Sequence, residues 1–388
     1  MFRHSARRLL GNCARFLVCL LVIGTPLGRA SEAPTERARA SHGLSYQHDE
    51  VPDVPWSIHI VKVDRSHSDL ELHTIQAKGH AFGLTKLSDQ VKLVPAELGR
   101  PLAAINGDFY RKETPYEGDP KGLQIMRGEL ISAPCDWTCF WIDAEGNPHM
   151  TNVVPRFHVQ WPTGESIAFG LNEERSRDNA VLYTSALGAS THTSGGRELI
   201  LDRMASGDWL PLRAGRSYVA RVREARDSGN SPLGGESMVL SLGSQLASKM
   251  PKLAPGAILQ ISTATWPDLK GVQTALGGGP ALVQGGKVLP IQTVKGRHPR
   301  TAVGWNKTHI YLVEVDGRQR GLSVGMTLPE LAEYMMKLGC EEALNLDGGG
   351  SASMWVYGQV VNSPSEGQER GMANALVVIQ KEKEKPQN

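Results

Sequence analysis

Little in this sequence points to nucleic acid, a structural metal or a membrane span. Lysine and arginine total 42 against 40 acidic residues, with no basic block. The chain therefore offers no electrostatic footprint for nucleic acid or an anionic membrane. Only five cysteines occur, without the further Cys or His at ligand spacing that zinc needs. No apolar run is long enough to span a bilayer. HExxH and the Gly-Lys-Ser/Thr of a P-loop are absent, and no GxGxxG leads into a helical pattern, so the zinc-protease and common nucleotide templates fail. No fixed-period repeat is found either.

What is present is a chain of 388 residues, 40% apolar and 21% charged, enough for one large domain or two ordinary ones with a real core. Residues 1–30 have the form of a secretory signal: a basic start "MFRHSARRLL", an apolar run from Phe16 to Gly24 and a small-residue exit before Ser31. Cleavage after Ala30 would remove five arginines and no acid, taking the formal charge from +2 to −3. The expected location is periplasmic or secreted, with no membrane span after signal cleavage. Cys13 and Cys19 leave with the signal. Cys135 and Cys139 in "APCDWTCFW" are close enough to pair in an oxidising compartment, leaving Cys340 as the odd thiol at a helix-to-strand turn, where it reads as a small hydrophobe.

Residues 31–50 are polar and aperiodic and read as a flexible lead-in, with order expected from Trp56. "WSIHIVKVD" and "DLELHTIQA" alternate as half-buried strands. "PLAAINGDFY" reads as a buried strand breaking at Asn106-Gly107. Short strands with turn signals follow. The segment of about 145–235 is the least patterned and reads as a variable, loop-rich insertion. "TLPELAEYMMKLG" is a helix: Thr327 and Glu330 fit a capping box, Leu331, Met335 and Leu338 share a face, and Gly339 supplies the stop. Residues 381–388 form a charged tail. The expected fold is α+β, a single β-rich mixed-sheet domain with a few helices over 51–380.

The chemistry concentrates at strand ends. "NLDGGGSASMW" follows an apolar strand with Asp347, then Gly348, Gly349, Gly350 and Ser351. Such a turn leaves backbone N–H groups unshielded and able to hold an anion, though the same glycines would make a plain β-bulge. "INGDFY" ends a strand with Asn106 and Asp108. "GRHPRTAVGW" sets Arg297, His298 and Arg300 before a strand, and "VEVDGRQRG" sets Asp316 and Arg318 after one. Arginine suits bidentate phosphate recognition. Four apolar strands ending in Asn, Asp or Arg suggest a polar pocket at the rim of a β-rich core. Trp137, Trp141 and Trp355 could stack on sugar faces, with core packing as the alternative.

Six motifs in order, "NGDFY", "LGGGPALVQGGK", "HPRTAVGW", "VDGRQRGLSVGMTLPELAEYMMKLGCEEALNLDGGGS", "NLDGGGSASM" and "ERGMANALVV", resemble the phosphodiester glycosidase family between about Ala103 and Val378. The resemblance implies hydrolysis of a glycosidic bond whose aglycone is a phosphodiester, hence a phosphorylated saccharide or glycoconjugate as partner. It points to Asn106, Asp108, Arg300, Thr301, Asp316, Arg318, Asn345, Gly348, Gly349, Gly350, Ser351, Glu369 and Arg370. Tyr110 departs mildly from the family's second Phe. Cleaving a sugar–phosphate bond asks for anion binding more than for strong acid catalysis, because the leaving phosphate is already a stable anion. Arg300 and Arg318, with the amides of Gly348–Gly350, fall to the phosphate. Asp347 and Asp108, then Glu369, are the candidates for nucleophile or base. A divalent cation, Ca²⁺ or Mg²⁺, on Asp108, Asp316 or Asp347 is a further expectation, without a dense ligand loop to hold it. A non-catalytic saccharide- or phosphate-binding module and a metal-dependent phosphodiesterase cutting the P–O bond are the competing readings.

Overall fold

The computed structural model describes residues 43–204, 207–291 and 296–382. The expected signal sequence, most of the lead-in and the tail beyond residue 382 lie outside them. Strand accounts for 43% and helix for 9%, so the chain is mostly β, more so than α+β implies. Among the described residues no helix is long and apolar enough to cross a membrane.

A seven-stranded antiparallel sheet runs in the order Leu44–Val51, Trp56–Asp64, His309–Val315, Arg300–Trp305, Glu342–Asn345, Ala281–Gln284, Lys287–Val288. Both of its faces are buried, and the strand alternation shows how. Ile58 and Ile60 join Val313, Val315, Leu331, Ala332 and Met335 beneath the helix Leu328–Lys337. Their neighbours Val61 and Val63 turn the other way, joining Leu312, Val303, Leu102, Ile105, Leu376 and Val378. That second core is shared with a five-stranded sheet ordered Gln359–Val360, Met354–Val356, Arg100–Asn106, Asn374–Gln380, Leu70–Gln76.

The strand Leu44–Val51 begins inside the stretch read as a lead-in, before Trp56. It pairs residue for residue with Trp56–Asp64, from Leu44↔Val63 to Val51↔Trp56. It is an edge strand with a mostly polar, exposed surface, which hides its period from a hydrophobicity reading. The segment 145–235 is likewise not a run of loops. It supplies most of an eight-stranded sheet spanning Val154–Gln160 to Ile258–Trp266, with its own core of Val159, Leu182, Leu199, Tyr218, Leu240 and Ile261. Apart from the ten-residue, alternating Ser217–Arg226, its strands are mostly short and separated by turn-rich stretches such as residues 193–196, so few windows carry a long pattern.

The expected Cys135–Cys139 pairing is not formed; all three described cysteines are free. Cys139 points into the core with Leu123, Ile125 and Ala275, whereas Cys135 sits exposed on the preceding turn. Cys340 is buried against the helix, as expected.

The helix keeps its expected punctuation. Thr327 Oγ1 accepts from Glu330 N, the Glu330 side chain accepts from Thr327 N at 2.8 Å, and Gly339 follows at φ +90°. Thr327→Ala should cost about 1 kcal/mol of unfolding free energy by urea denaturation. An unchanged midpoint would mean the cap is redundant with helix packing.

Candidate active site

The site assembles where strands of two sheets stop. Arg100–Asn106 ends on Asn106, Glu342–Asn345 ends on Asn345, and Arg300–Trp305 begins on Arg300. Arg300 opposes Val315 and Ala302 opposes Asn345, so Arg300, Asp316 and Asn345 share one end of the seven-stranded sheet. Asn106 brings in the second sheet. Its Nδ2 donates to Asp347 O at 2.6 Å, and its Oδ1 accepts from Thr301 Oγ1 at 2.7 Å and Ser353 N at 3.1 Å. Asp347 N donates to Gly107 O at 3.0 Å. The "NGD" and "NLD" strand ends are thus tied backbone to backbone.

Asp108 lies beneath this junction, 2% exposed. Its Oδ1 accepts from Phe109 N at 2.7 Å, its Oδ2 from Gly122 N at 2.8 Å, and its own N–H donates to Asn374 Oδ1 at 2.9 Å. Glycine makes the room: a Cβ on Gly277 or Gly122 would overlap Asp108 Oδ2. Burial pushes the Asp108 carboxyl up to about 7, with the charge of Asp347 adding and the two N–H donors opposing.

Asp347 is more accessible, half-buried at the start of the glycine turn. Its Oδ1 accepts from Gly348 N at 2.9 Å. Burial raises its carboxyl too, but the Ser351 hydroxyl, the Gly348 N–H and the charges of Lys112 and Arg370 work in the other direction. Gly349 sits at φ +62°, and a Cβ there would come within 3.1 Å of the Arg318 guanidinium. A Cβ on Gly350 would overlap Arg370 and Glu366. Lack of side chains is what lets two guanidinium groups close on this turn.

Arg318 Nη2 lies 3.2 Å from His298 Nδ1. Arg300 Nε donates to Met326 O at 2.9 Å, and burial with the nearby charge of Arg318 holds Arg300 below its usual value. Arg370 is paired with Glu366. Among the described residues neither Arg300 nor Arg318 forms an ion pair with a carboxylate. Two cations near each other without an acid make an anion site.

The family profile of the phosphodiester glycosidases matches residues 215–379. That stretch is similar to a phosphodiester glycosidase domain. Over 83 residues the chain is 35% identical to an uncharacterized SPbeta prophage-derived protein of Bacillus subtilis, covering 21% of this chain and 13% of that protein. Over 70 residues it is 43% identical to the N-acetylglucosamine-1-phosphodiester alpha-N-acetylglucosaminidase of Bos taurus, covering 17% of this chain and 12% of that one. The matched segments therefore span about an eighth of these relatives. In fold the chain is similar to a hypothetical protein from Synechocystis, with a TM-score of 0.69 at 20% identity over 87% of this chain and 62% of that one. Asn106 and Asp108 fall outside the stretch matched to the phosphodiester glycosidase profile, yet the fold sets them against Asp347.

Not every expected residue joins the candidate site. Asp316 is 1% exposed and held by Ser57 Oγ at 2.8 Å and Ser363 N at 2.8 Å; it supports the turn that carries Arg318. Glu369 spends both oxygens on Ser88, at 2.9 Å to N and 2.6 Å to Oγ, so it anchors a short helix and is not free to face the glycine turn. Thr301 is buried on Asn106. Asn345 Nδ2 donates to Gly279 O at 2.7 Å, bracing Gly278–Pro280. Asp108, Asp316 and Asp347 do not converge on one point; among the described residues the acidic group able to share an ion is His59, Glu314 and Asp316.

Lys121, not singled out from sequence, completes the surroundings. Lys121 separates a polar cleft of about 280 Å³, lined also by Ser132, Cys135 and Glu173, from one of about 410 Å³ lined by Phe109, Trp137 and Gly278–Pro280. Trp137 is 47% exposed, so it is not a core tryptophan. The "LGGGP" motif marked one wall of this cleft; nothing in the sequence marked Lys121.

Asp108 yields a pH prediction. Its folded-state value lies above the unfolded one of about 3.9, so its contribution is whole below pH ~4 and is lost as the pH rises toward about 7. The stability of wild type relative to Asp108→Asn should therefore decline between those limits in urea titrations; a constant difference would show an unperturbed carboxyl.

Proposed function

We propose that this protein is an exported hydrolase that breaks the bond between the anomeric carbon of a sugar and a phosphodiester oxygen, releasing free sugar and a phosphomonoester. The observation that carries this reading is the Asp347-Gly-Gly-Gly-Ser turn, where a half-buried carboxylate adjoins a backbone onto which Arg318 and Arg370 close. Water adds to the anomeric carbon, and the bond to the phosphate oxygen breaks with its electron pair going to the phosphate.

In this reading Arg318 and Arg300 bind the phosphate, with Gly348–Gly350 presenting backbone to it. Asp347 acts on the anomeric carbon, as nucleophile or by activating water, and its charge opposes the positive character developing there. Asp108, with both oxygens on backbone N–H groups, is a positioning residue that fixes the 106–108 turn under Asp347. The cleft walled by Trp137 and Phe109 suits an apolar sugar face. The similarity to a phosphodiester glycosidase domain supports the reaction class, and the sugar and aglycone are left to the assay.

The mature protein is incubated with a panel of sugar-1-phosphodiesters and the products identified. Free sugar with phosphomonoester is expected, whereas sugar-1-phosphate would mean cleavage on the far side of phosphorus, and binding without turnover would mean a binding module. Asp347→Asn should lower kcat by about a thousandfold or more. Arg318→Ala should cost about 3 kcal/mol in kcat/KM, by analogy with other charge-stabilising donors. Near-normal turnover in Asp347→Asn would remove Asp347 from its role.

A further inference from the structure

One buried polar cluster plays no part in this chemistry. His59, Glu314 and Asp316 each present a ligating atom, and these atoms all lie within 4.8 Å of one another. The strand register builds the group: His59 and Glu314 are direct cross-strand partners in the pair formed by Trp56–Asp64 and His309–Val315, and Asp316 follows two residues on, toward the same face. Exposure is 3%, 0% and 1% respectively.

Both carboxylate oxygens of Glu314 are buried and lack a hydrogen bond of normal geometry among the described residues, with only the Asn362 amide nearby. An unpartnered carboxylate in a core is costly, and a second carboxylate beside it raises the cost further. His59 does not resolve this, because its Nε2 lies 3.2 Å from Asp316 Oδ2, leaving Glu314 without a counter-charge.

We propose that His59, Glu314 and Asp316 are the protein ligands of a divalent first-row transition-metal ion, of the Zn²⁺ or Mn²⁺ class, bound between the two strands. One dication balances the two carboxylates that the core otherwise buries together. The imidazole ligand disfavours the Ca²⁺ or Mg²⁺ expected from acidic residues alone, which take oxygen donors. The outer partners suit this assignment. His59 Nδ1 lies 2.7 Å from Tyr46 Oη, and its ring stacks on His48 at 4.3 Å and 4°, which orients Nε2 toward the carboxylates. Asp316 Oδ1 is fixed by Ser363 N at 2.8 Å.

The ion is structural in this account. Thr301 is the cross-strand partner of Glu314 on its other side, and Thr301 Oγ1 holds Asn106. The metal therefore braces the strand row on which the Asn106 junction rests.

The test uses the full chain. Metal content by inductively coupled plasma mass spectrometry should show about one equivalent of Zn²⁺ or Mn²⁺ per chain. X-ray absorption at that metal's edge should show a nitrogen and oxygen shell. Protein unfolded with chelator and refolded with ZnCl₂ or MnCl₂ should melt several degrees above protein refolded without metal. Glu314→Gln and His59→Asn should each lose the equivalent, while Asp347→Asn keeps it. Wild-type protein that holds no metal, and whose melting point neither ion shifts after refolding, would overturn the proposal whether or not the variants fold. So would a metal content that survives both substitutions.

Discussion

The side chain of Asn106 is the contact on which the rest of the site depends. One amide donates to the carbonyl of Asp347 and accepts from Thr301 and Ser353, so it stitches the end of one sheet to the end of the other. Asn106, Thr301 and Ser353 are buried, where an unmatched partner costs about 1–3 kcal/mol. The two aspartate-bearing turns therefore meet in one arrangement, and the Asp347 N–H to Gly107 carbonyl bond closes it. Shape follows from satisfying backbone groups, and reactivity follows from shape.

Electrostatics then divides the work between the two aspartates. Asp108 lies deeper, and burial outweighs its two backbone donors. Asp347 is nearer solvent and to Lys112 and Arg370, so its charge is easier to keep. On the far side of the glycine turn, burial and the nearby charge of Arg318 hold both Arg300 and the His298 imidazole below their usual values. A region that keeps two guanidiniums without a carboxylate partner is poised for an anion from outside. The glycines are the geometric condition for that, since any side chain at 349 or 350 would occupy the space the guanidiniums take.

Much of this was legible in the sequence, for a physical reason. An apolar strand that ends in Asn, Asp or Arg announces where a core meets a polar rim, and Asn106, Asp108, Arg300, Arg318 and Asp347 were all found that way or through the ordered family motifs. The helix was legible because its cap is local, written within Thr327–Glu330. Asp316 and Glu369 were misplaced because a strand-end or motif carboxylate looks the same whether it faces a pocket or, as here, Ser57 and Ser88. Nothing in the sequence singled out Glu314. It is fully buried, which only the topology reveals. His59 is its neighbour across a register that joins segments far apart in the chain. The edge strand Leu44–Val51 and most of the short strands of 145–235 carry little of the apolar alternation that a buried face imposes, whereas Ser217–Arg226, which does alternate, was legible as a strand.

The central claim is that the bond broken lies between the anomeric carbon and oxygen. Free sugar and phosphomonoester would also appear if the phosphorus–oxygen bond on the sugar side were cut, so product identity alone does not separate the two. Turnover in ¹⁸O-labelled water does. The account predicts label in the anomeric hydroxyl of the released sugar and none in the phosphate, because Asp347 directs attack at carbon. Label in the phosphomonoester, with an unlabelled sugar, would contradict it.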